Sequence, residues 1–190
     1  MIKRSSLRTI GLTCSCLLLT GCMPKFTIED IKNMTPERPV EIDKLEMFVG
    51  TWETEAEMNM SGLDEVLTGT GVGTMSWKAD KRYLVEESEF DMGELGKMSG
   101  MGMWTYDPKS RKYRNYWFDS HGSVGRGTSK YCEESRTWYT KATSRGPWGK
   151  TKGKGTTKFV DDNTIEWSWT EWDGSGLFKV MDVSGTSRRK

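Results

Sequence analysis

The stretch Phe48-Val49-Gly50-Thr51-Trp52-Glu53-Thr54-Glu55-Ala56-Glu57-Met58-Asn59-Met60 decides the fold. Phe48, Gly50, Trp52, Thr54, Ala56, Met58 and Met60 alternate with Val49, Thr51, Glu53, Glu55, Glu57 and Asn59. Successive side chains of a β-strand point to opposite faces, so this alternation gives one largely apolar and one largely charged face. A half-buried strand of an antiparallel sheet requires that pattern.

The same period recurs in Val66–Trp77, Arg82–Phe90, Met98–Tyr106 and Lys112–Phe118. It continues in Arg136–Ser144, Lys152–Val160, Thr164–Trp172 and Leu177–Ser187, with Ile165, Trp167 and Trp169 against Glu166, Ser168 and Thr170 as the clearest later case. Turn-forming residues separate the runs: Asp80-Lys81, Asp107-Pro108-Lys109-Ser110, Asp161-Asp162-Asn163 and Asp173-Gly174-Ser175-Gly176. Many short strands at near-regular spacing predict an all-β fold, an antiparallel up-and-down β-barrel, whose closure removes exposed edges. A β-sandwich is the alternative architecture. The 21 glycines suit barrel bends and bulges. The chain of 190 residues is long enough for one domain with a real core. A mean hydropathy of −0.67 is polar, but 9 Trp, 6 Tyr and 6 Phe offset it, since each aromatic ring buries a large apolar area.

The beginning of the chain reads as an address. Lys3, Arg4 and Arg8 precede the apolar run Ile10 to Leu19, which is too short to span a bilayer. It ends in Leu19-Thr20-Gly21-Cys22, which resembles the bacterial lipobox. The resemblance implies a signal peptide over residues 1–21, cleavage before Cys22 and lipidation of Cys22. Met23 stands after it rather than an aspartate, so an outer membrane is the expected destination where the host has two. The expected organisation is a signal segment 1–21, a polar tether 22–39 and a barrel domain 40–190. Short helical segments are expected at Thr27–Met34 and Val40–Phe48.

Without Lys3, Arg4 and Arg8 the 28 basic residues become 25 against 27 acidic, a net charge near −2, which disfavours nucleic acid as a partner. Cys14 and Cys16 leave with the signal and Cys22 is lipidated, so Cys132 stands alone. That leaves no intramolecular disulfide framework and no cysteine-rich zinc site. Burial is the expected state of this lone thiol.

A family resemblance rests on three segments. Leu45-x-x-Phe48-Val49-Gly50-Thr51-Trp52-Glu53 is similar to the first strand of calycin-type barrels, where Gly-x-Trp opens the sheet. Gly102-Met103-Trp104-Thr105-Tyr106-Asp107 leads to Lys112-Tyr113-x-x-Tyr116-Trp117-x-Asp119-Ser120, and the chain closes with Gly185-x-x-Arg188. In that order the segments resemble a bacterial family of lipocalin-like domains of unknown function, over about Leu45 to Lys190. The resemblance implies a fold and brings no catalytic residue.

Chemistry-bearing motifs are sparse. His121 is the only histidine, in Asp119-Ser120-His121-Gly122, and adjacent residues of a strand cannot assemble a triad because they face opposite ways. Ser123 lacks the Gly-x-Ser-x-Gly elbow. Small haem barrels of the nitrobindin type share Gly-x-Trp but use a late-chain histidine; none follows His121, so haem is disfavoured. Met92, Met98, Met101 and Met103, with Met58 and Met60, suit Cu(I) by ligand softness but more simply fill apolar space. Glu86, Glu87 and Glu89 invite a carboxylate-pair reading, and a solvated outer face accounts for them more simply. Ser144-Arg145-Gly146-Pro147-Trp148-Gly149-Lys150-Thr151 misses the phosphate loop at its first glycine, and Gly69-x-Gly71-x-Gly73 lies inside a strand.

No catalytic residue, metal ligand or cofactor is therefore expected. Two roles remain. One is a binding module holding a small apolar or lipid-like molecule in a barrel mouth lined by Trp52, Met58, Trp104, Tyr106, Trp117, Trp167 and Trp169. The other is an envelope structural or interaction protein that presents its outer face, or the basic hairpin of Arg145, Lys150, Lys152, Lys154 and Lys158, to a partner. An enzyme is a weaker third, with no nucleophile–base pair to carry it.

Overall fold

The computed structural model describes residues 25–147 and 149–190. The signal segment, Cys14, Cys16, the Cys22 lipidation position and Trp148 lie outside the described residues. Two compact units divide the chain, Met1–Glu37 and Arg38–Lys190. In the first, helix α1 (Ile28–Asn33) starts at Thr27, whose hydroxyl accepts from the Asp30 N–H at 3.1 Å while the Asp30 carboxylate accepts from the Thr27 N–H at 2.8 Å. This reciprocal capping box satisfies two donors that a helix start leaves unpaired. α1 buries no residue.

The second unit is a closed antiparallel barrel of ten strands: β1 (Gly50–Met60), β2 (Leu67–Lys78), β3 (Tyr83–Asp91), β4 (Lys97–Asp107), β5 (Lys112–Asp119), β6 (Val124–Cys132), β7 (Thr137–Gly146), β8 (Gly149–Phe159), β9 (Thr164–Asp173) and β10 (Lys179–Arg189). Each strand pairs with the next, and β10 closes the ring on β1 with Trp52 opposite Arg189 and Met60 opposite Met181. Every edge is thereby paired.

Nine strands coincide with the runs expected from alternation. β6 is the tenth, and its sequence hides it. Its inward positions are Gly125, Gly127, Ser129 and Tyr131, so three of four carry almost no hydrophobic signal. They are small because larger groups already occupy the space: a Cβ on Gly127 would meet the Asn115 side chain, and Ser129 is 3% exposed inside the wall.

One end of the barrel is filled. A 3₁₀ helix over Val40–Phe48 crosses it and presents Ile42 (1% exposed) and Leu45 (0%) on one face, three residues apart as the 3₁₀ repeat requires. They pack with Trp52, Leu84, Tyr113, Trp138, Phe159 and Ile165. Edge-to-face ring contacts knit this plug: Phe48 with Phe159 at 5.0 Å and Tyr113 with Trp138 at 4.7 Å between centroids. Polar tips secure the helix. The Trp52 indole donates to the Phe48 carbonyl at 2.8 Å, and the Tyr113 hydroxyl donates to the Glu41 carbonyl at 2.7 Å. At that depth burial pushes the Tyr113 phenol up to about 12.

Candidate functional site

Among the described residues the opposite end carries only hairpin connections, and there the inward-facing side chains are less buried. Inward-facing residues near the plug are buried, whereas Met58, Met60, Leu67, Met98, Trp117, Trp169, Met181 and Val183 all keep partial contact with solvent. Since these side chains point into the barrel, that solvent lies in the lumen.

Glycines set the shape of the lumen. A Cβ on Gly100 would strike the Trp117 ring, one on Gly102 the Trp104 ring, one on Gly153 the Trp169 ring, and one on Gly185 would sit 2.7 Å from Trp167. Each indole thus lies flat over a bare strip of backbone, as large rings do when they cover strand glycines. Phe90 covers Gly71 in the same way, which explains the Gly69-x-Gly71-x-Gly73 run without phosphate chemistry.

The predicted lining residues divide by height. Trp52, 3% exposed, belongs to the plug, and Tyr106 packs against it edge-to-face on Tyr113. Trp104 and Trp167 pack against the plug and form the lumen floor. Met58, Trp117 and Trp169 lie on the upper wall.

Glu86 does not lie on the solvated face expected for it with Glu87 and Glu89: β3 turns Leu84, Glu86, Ser88 and Phe90 inward and Glu87 and Glu89 outward. Parity with Leu84 and Phe90 was the signal. The Glu86 side chain passes along bare backbone: its Oε1 lies 3.5 Å from where a Gly73 Cβ would stand and its Oε2 3.1 Å from that of Gly102. Among the described residues no donor reaches it. Burial alone pushes its carboxyl up to about 7.

The other inward carboxylates are engaged. Asp119 accepts from the Trp117 indole at 3.3 Å, and Glu171 accepts from the Thr151 hydroxyl. Asp173 holds the β9–β10 loop, accepting from the N–H groups of Gly176, Leu177 and Phe178 at 3.0–3.1 Å. The Ser175 hydroxyl also donates to it, and these bonds hold its carboxyl down to about 2. Interior hydroxyls are paired as well: Thr54 with Ser187 at 2.8 Å, and Asn115 to Ser129 to Thr140 at 2.8 Å each.

The remaining candidates resolve simply. The Asp119 carboxylate accepts from the backbone N–H of His121 and of Ser123, both at 3.0 Å, so these residues staple a turn and His121 points to solvent. The methionines are divided by the wall: Met58, Met60 and Met98 face in, while Met101 and Met103 face out. Among the described residues no three His, Cys, Asp or Glu side chains are placed to hold a metal. Cys132 is a half-buried free thiol whose pKa is lowered by hydrogen bonds from Ser135. Residues 144–147 and 149–151 belong to the β7–β8 hairpin, and among the described residues no helix follows. A cavity of about 670 Å³ lies at the plug end, between the Val40–Phe48 helix and β4 to β6, lined by Lys44, Arg111 and the inward-facing Tyr106, Tyr113, Ser129 and Tyr131, and a groove of about 370 Å³ lies on the outer wall between Arg114, Arg126 and Lys141.

A ten-stranded meander barrel with a helix across one end is a calycin-like, lipocalin-like fold. Within it, the chain belongs to the family described as protein of unknown function (DUF1579), whose model matches residues 40–186. Two solved structures share the fold. Rv2717c from M. tuberculosis aligns with a TM-score of 0.63 at 11% identity, over 81% of this chain and 99% of that one. The S-type phycobiliprotein lyase CPES from Guillardia theta aligns at 0.56 with 12% identity, over 86% and 98%. No curated protein matches the chain.

Proposed function

We infer that the protein is a lipid-anchored envelope protein whose barrel takes a small apolar molecule through its open end. The carrying observation is that Trp117 and Trp169 point into the barrel and keep partial contact with solvent there. Pockets for small molecules are concave, mostly apolar and furnished with a few polar groups, and the open half of this barrel has that make-up. The phycobiliprotein lyase of like fold supports a ligand-handling role by analogy of fold.

The anchor is Cys22, with 1–21 as signal peptide, 22–39 as tether and 40–190 as the working domain. The outer membrane is the favoured site in a host with two membranes. Native mass spectrometry of the delipidated protein purified from its own host tests the ligand; a mass equal to the bare chain under gentle conditions counts against it. Cys22→Ala tests the anchor: the protein should leave the membrane fraction and lose fatty-acid label.

A second reading, an envelope interaction protein, draws on one feature. Lys141, Arg145, Lys150, Lys152, Lys154 and Lys158 all project outward from β7 and β8. Charge reversal at Lys150, Lys152 and Lys154 should abolish capture of an envelope component while leaving lumen binding unchanged.

A further inference from the structure

Charge is sorted across the barrel wall. By strand alternation, every lysine and arginine of β1 to β10 projects outward except Arg189. Arg189 is committed at the plug end, where its guanidinium covers Trp52 and donates to the carbonyls of Met47 (2.9 Å) and Asp162 (3.1 Å). The inward ionisable groups of the open half are all acids: Glu86, Asp119, Glu171 and Asp173. Three of these already accept hydrogen bonds. Glu86 does not. Around it stand the Trp104 ring, which shares the bare face of Gly102, and the other wall indoles beyond.

Aromatic faces together with one unpaired carboxylate favour a cation. Indole faces attract positive charge, and the attraction grows when water is excluded. An anionic guest would meet a lumen of like charge with no inward cation in reach, and would leave Glu86 still unpaired. A neutral apolar guest would contact the rings but leave that carboxylate desolvated without a partner.

The geometry points to an organic-cation site in the lumen: it takes a flat apolar molecule bearing a protonated amine, its rings against the wall indoles and its ammonium on Glu86. This rests on the lumen-binding reading above and specifies its ligand class. The amine donates a charge-assisted hydrogen bond to the one lumen carboxylate that lacks a donor. The groups facing Glu86 from its flanking strands, Met75 and Gly73 on β2 and Gly102 and Trp104 on β4, do not titrate. Glu86 itself therefore governs the pH response at its level of the lumen, with the paired Asp119, Glu171 and Asp173 as the other inward acids.

Calorimetric titration of the full chain with 2-naphthylmethylamine, 2-naphthoate and 2-methylnaphthalene tests this. The amine should bind at least about tenfold more tightly than the carboxylate at a pH of about 8.5, equivalent to about 1.4 kcal/mol. In the unaltered protein that preference should shrink severalfold as the pH is lowered to about 5.5, where Glu86 is protonated. Glu86→Gln should abolish both the preference and its pH dependence while 2-methylnaphthalene still binds. A preference that survives Glu86→Gln, or that is flat with pH in the unaltered protein, overturns the Glu86 assignment. Equal binding of all three probes overturns the cation site and leaves the lumen reading standing. Failure of all three to bind overturns both.

Discussion

The Arg189 guanidinium lies 4.2 Å from the ring centroid of Trp52, directly across the β1–β10 seam that closes the barrel. The same guanidinium donates to the carbonyls of Met47, Val49 and Asp162, so one side chain ties the last strand to the plug helix, the first strand and the β8–β9 turn. Gly50 leaves room for it: a Cβ there would stand 2.6 Å from Arg189 Nη1, and the local φ of +132° disfavours any side chain. The neighbouring Arg188 faces solvent and pairs with Glu55 at 3.2 Å. The closing Gly185-x-x-Arg188 of the sequence resemblance therefore stops one residue short of the structural arginine. Alternation from Gly185 turns Ser187 and Arg189 inward.

Replacing Arg189 by Ala removes charged hydrogen bonds and a cation–π contact, and should lower unfolding free energy by about 2–4 kcal/mol. Arg188→Ala should change it by less than about 0.5 kcal/mol, since exposed ion pairs contribute little. Urea denaturation followed by tryptophan fluorescence measures both, and equal effects would refute the asymmetry.

Leu45 is fully enclosed by the plug, so Leu45→Ala should cost about 2–5 kcal/mol through lost burial and the cavity left behind. Leu177, 80% exposed in the β9–β10 loop, should tolerate the same change within about 0.5 kcal/mol.

A side chain at Gly153 must displace the Trp169 ring. Gly153→Leu should yield a folded but strained barrel, destabilised by about 1–3 kcal/mol, with an altered tryptophan emission maximum. Because the ring is driven into the lumen, 2-methylnaphthalene binding should fall at least about tenfold. Undiminished binding would place the probe elsewhere.

Ser129 joins Asn115 and Thr140 in a buried chain of hydrogen bonds. Ser129→Ala leaves the Asn115 amide without its acceptor and should cost about 1–3 kcal/mol in chemical denaturation.

Stability should respond to pH in two opposite windows. Glu86 has a folded pKa of about 7, above the ordinary 4.5. Between those values the folded state holds more protons, so its contribution is complete below 4.5 and is lost as pH rises through 7. The loss amounts to at most about 3 kcal/mol at roughly 1.4 kcal/mol per pH unit. Asp107 and Asp173 are held down to about 2, so their contribution is present above 3.8 and disappears as pH falls towards 2. Denaturation midpoints measured from about pH 2 to 9 should show both limbs, and Glu86→Gln should flatten only the upper one.

Much of the barrel was legible because its inward and outward residues differ chemically. β1 sets Trp52, Ala56 and Met58 against glutamates, and the helix over Val40–Phe48 fell where its sparse apolar residues placed it. β6 was not legible, because Gly125, Gly127 and Ser129 mark the inside by small size rather than by hydrophobicity. The inward-facing aromatic residues were visible, but their division between plug and lumen was not, since Trp52 and Trp169 follow the same alternation and differ only in height along the barrel. Glu86 was lost among Glu87 and Glu89, where composition outweighed parity.

By itself the sequence determined the strand period, the turns and the inside of most strands, because these are local consequences of backbone geometry and side-chain polarity. Only the tertiary structure decided which end is filled, which indoles lie over which glycines, and that one acid among three faces the lumen unpaired. Those depend on register between strands, and register is set by pairing partners distant along the chain.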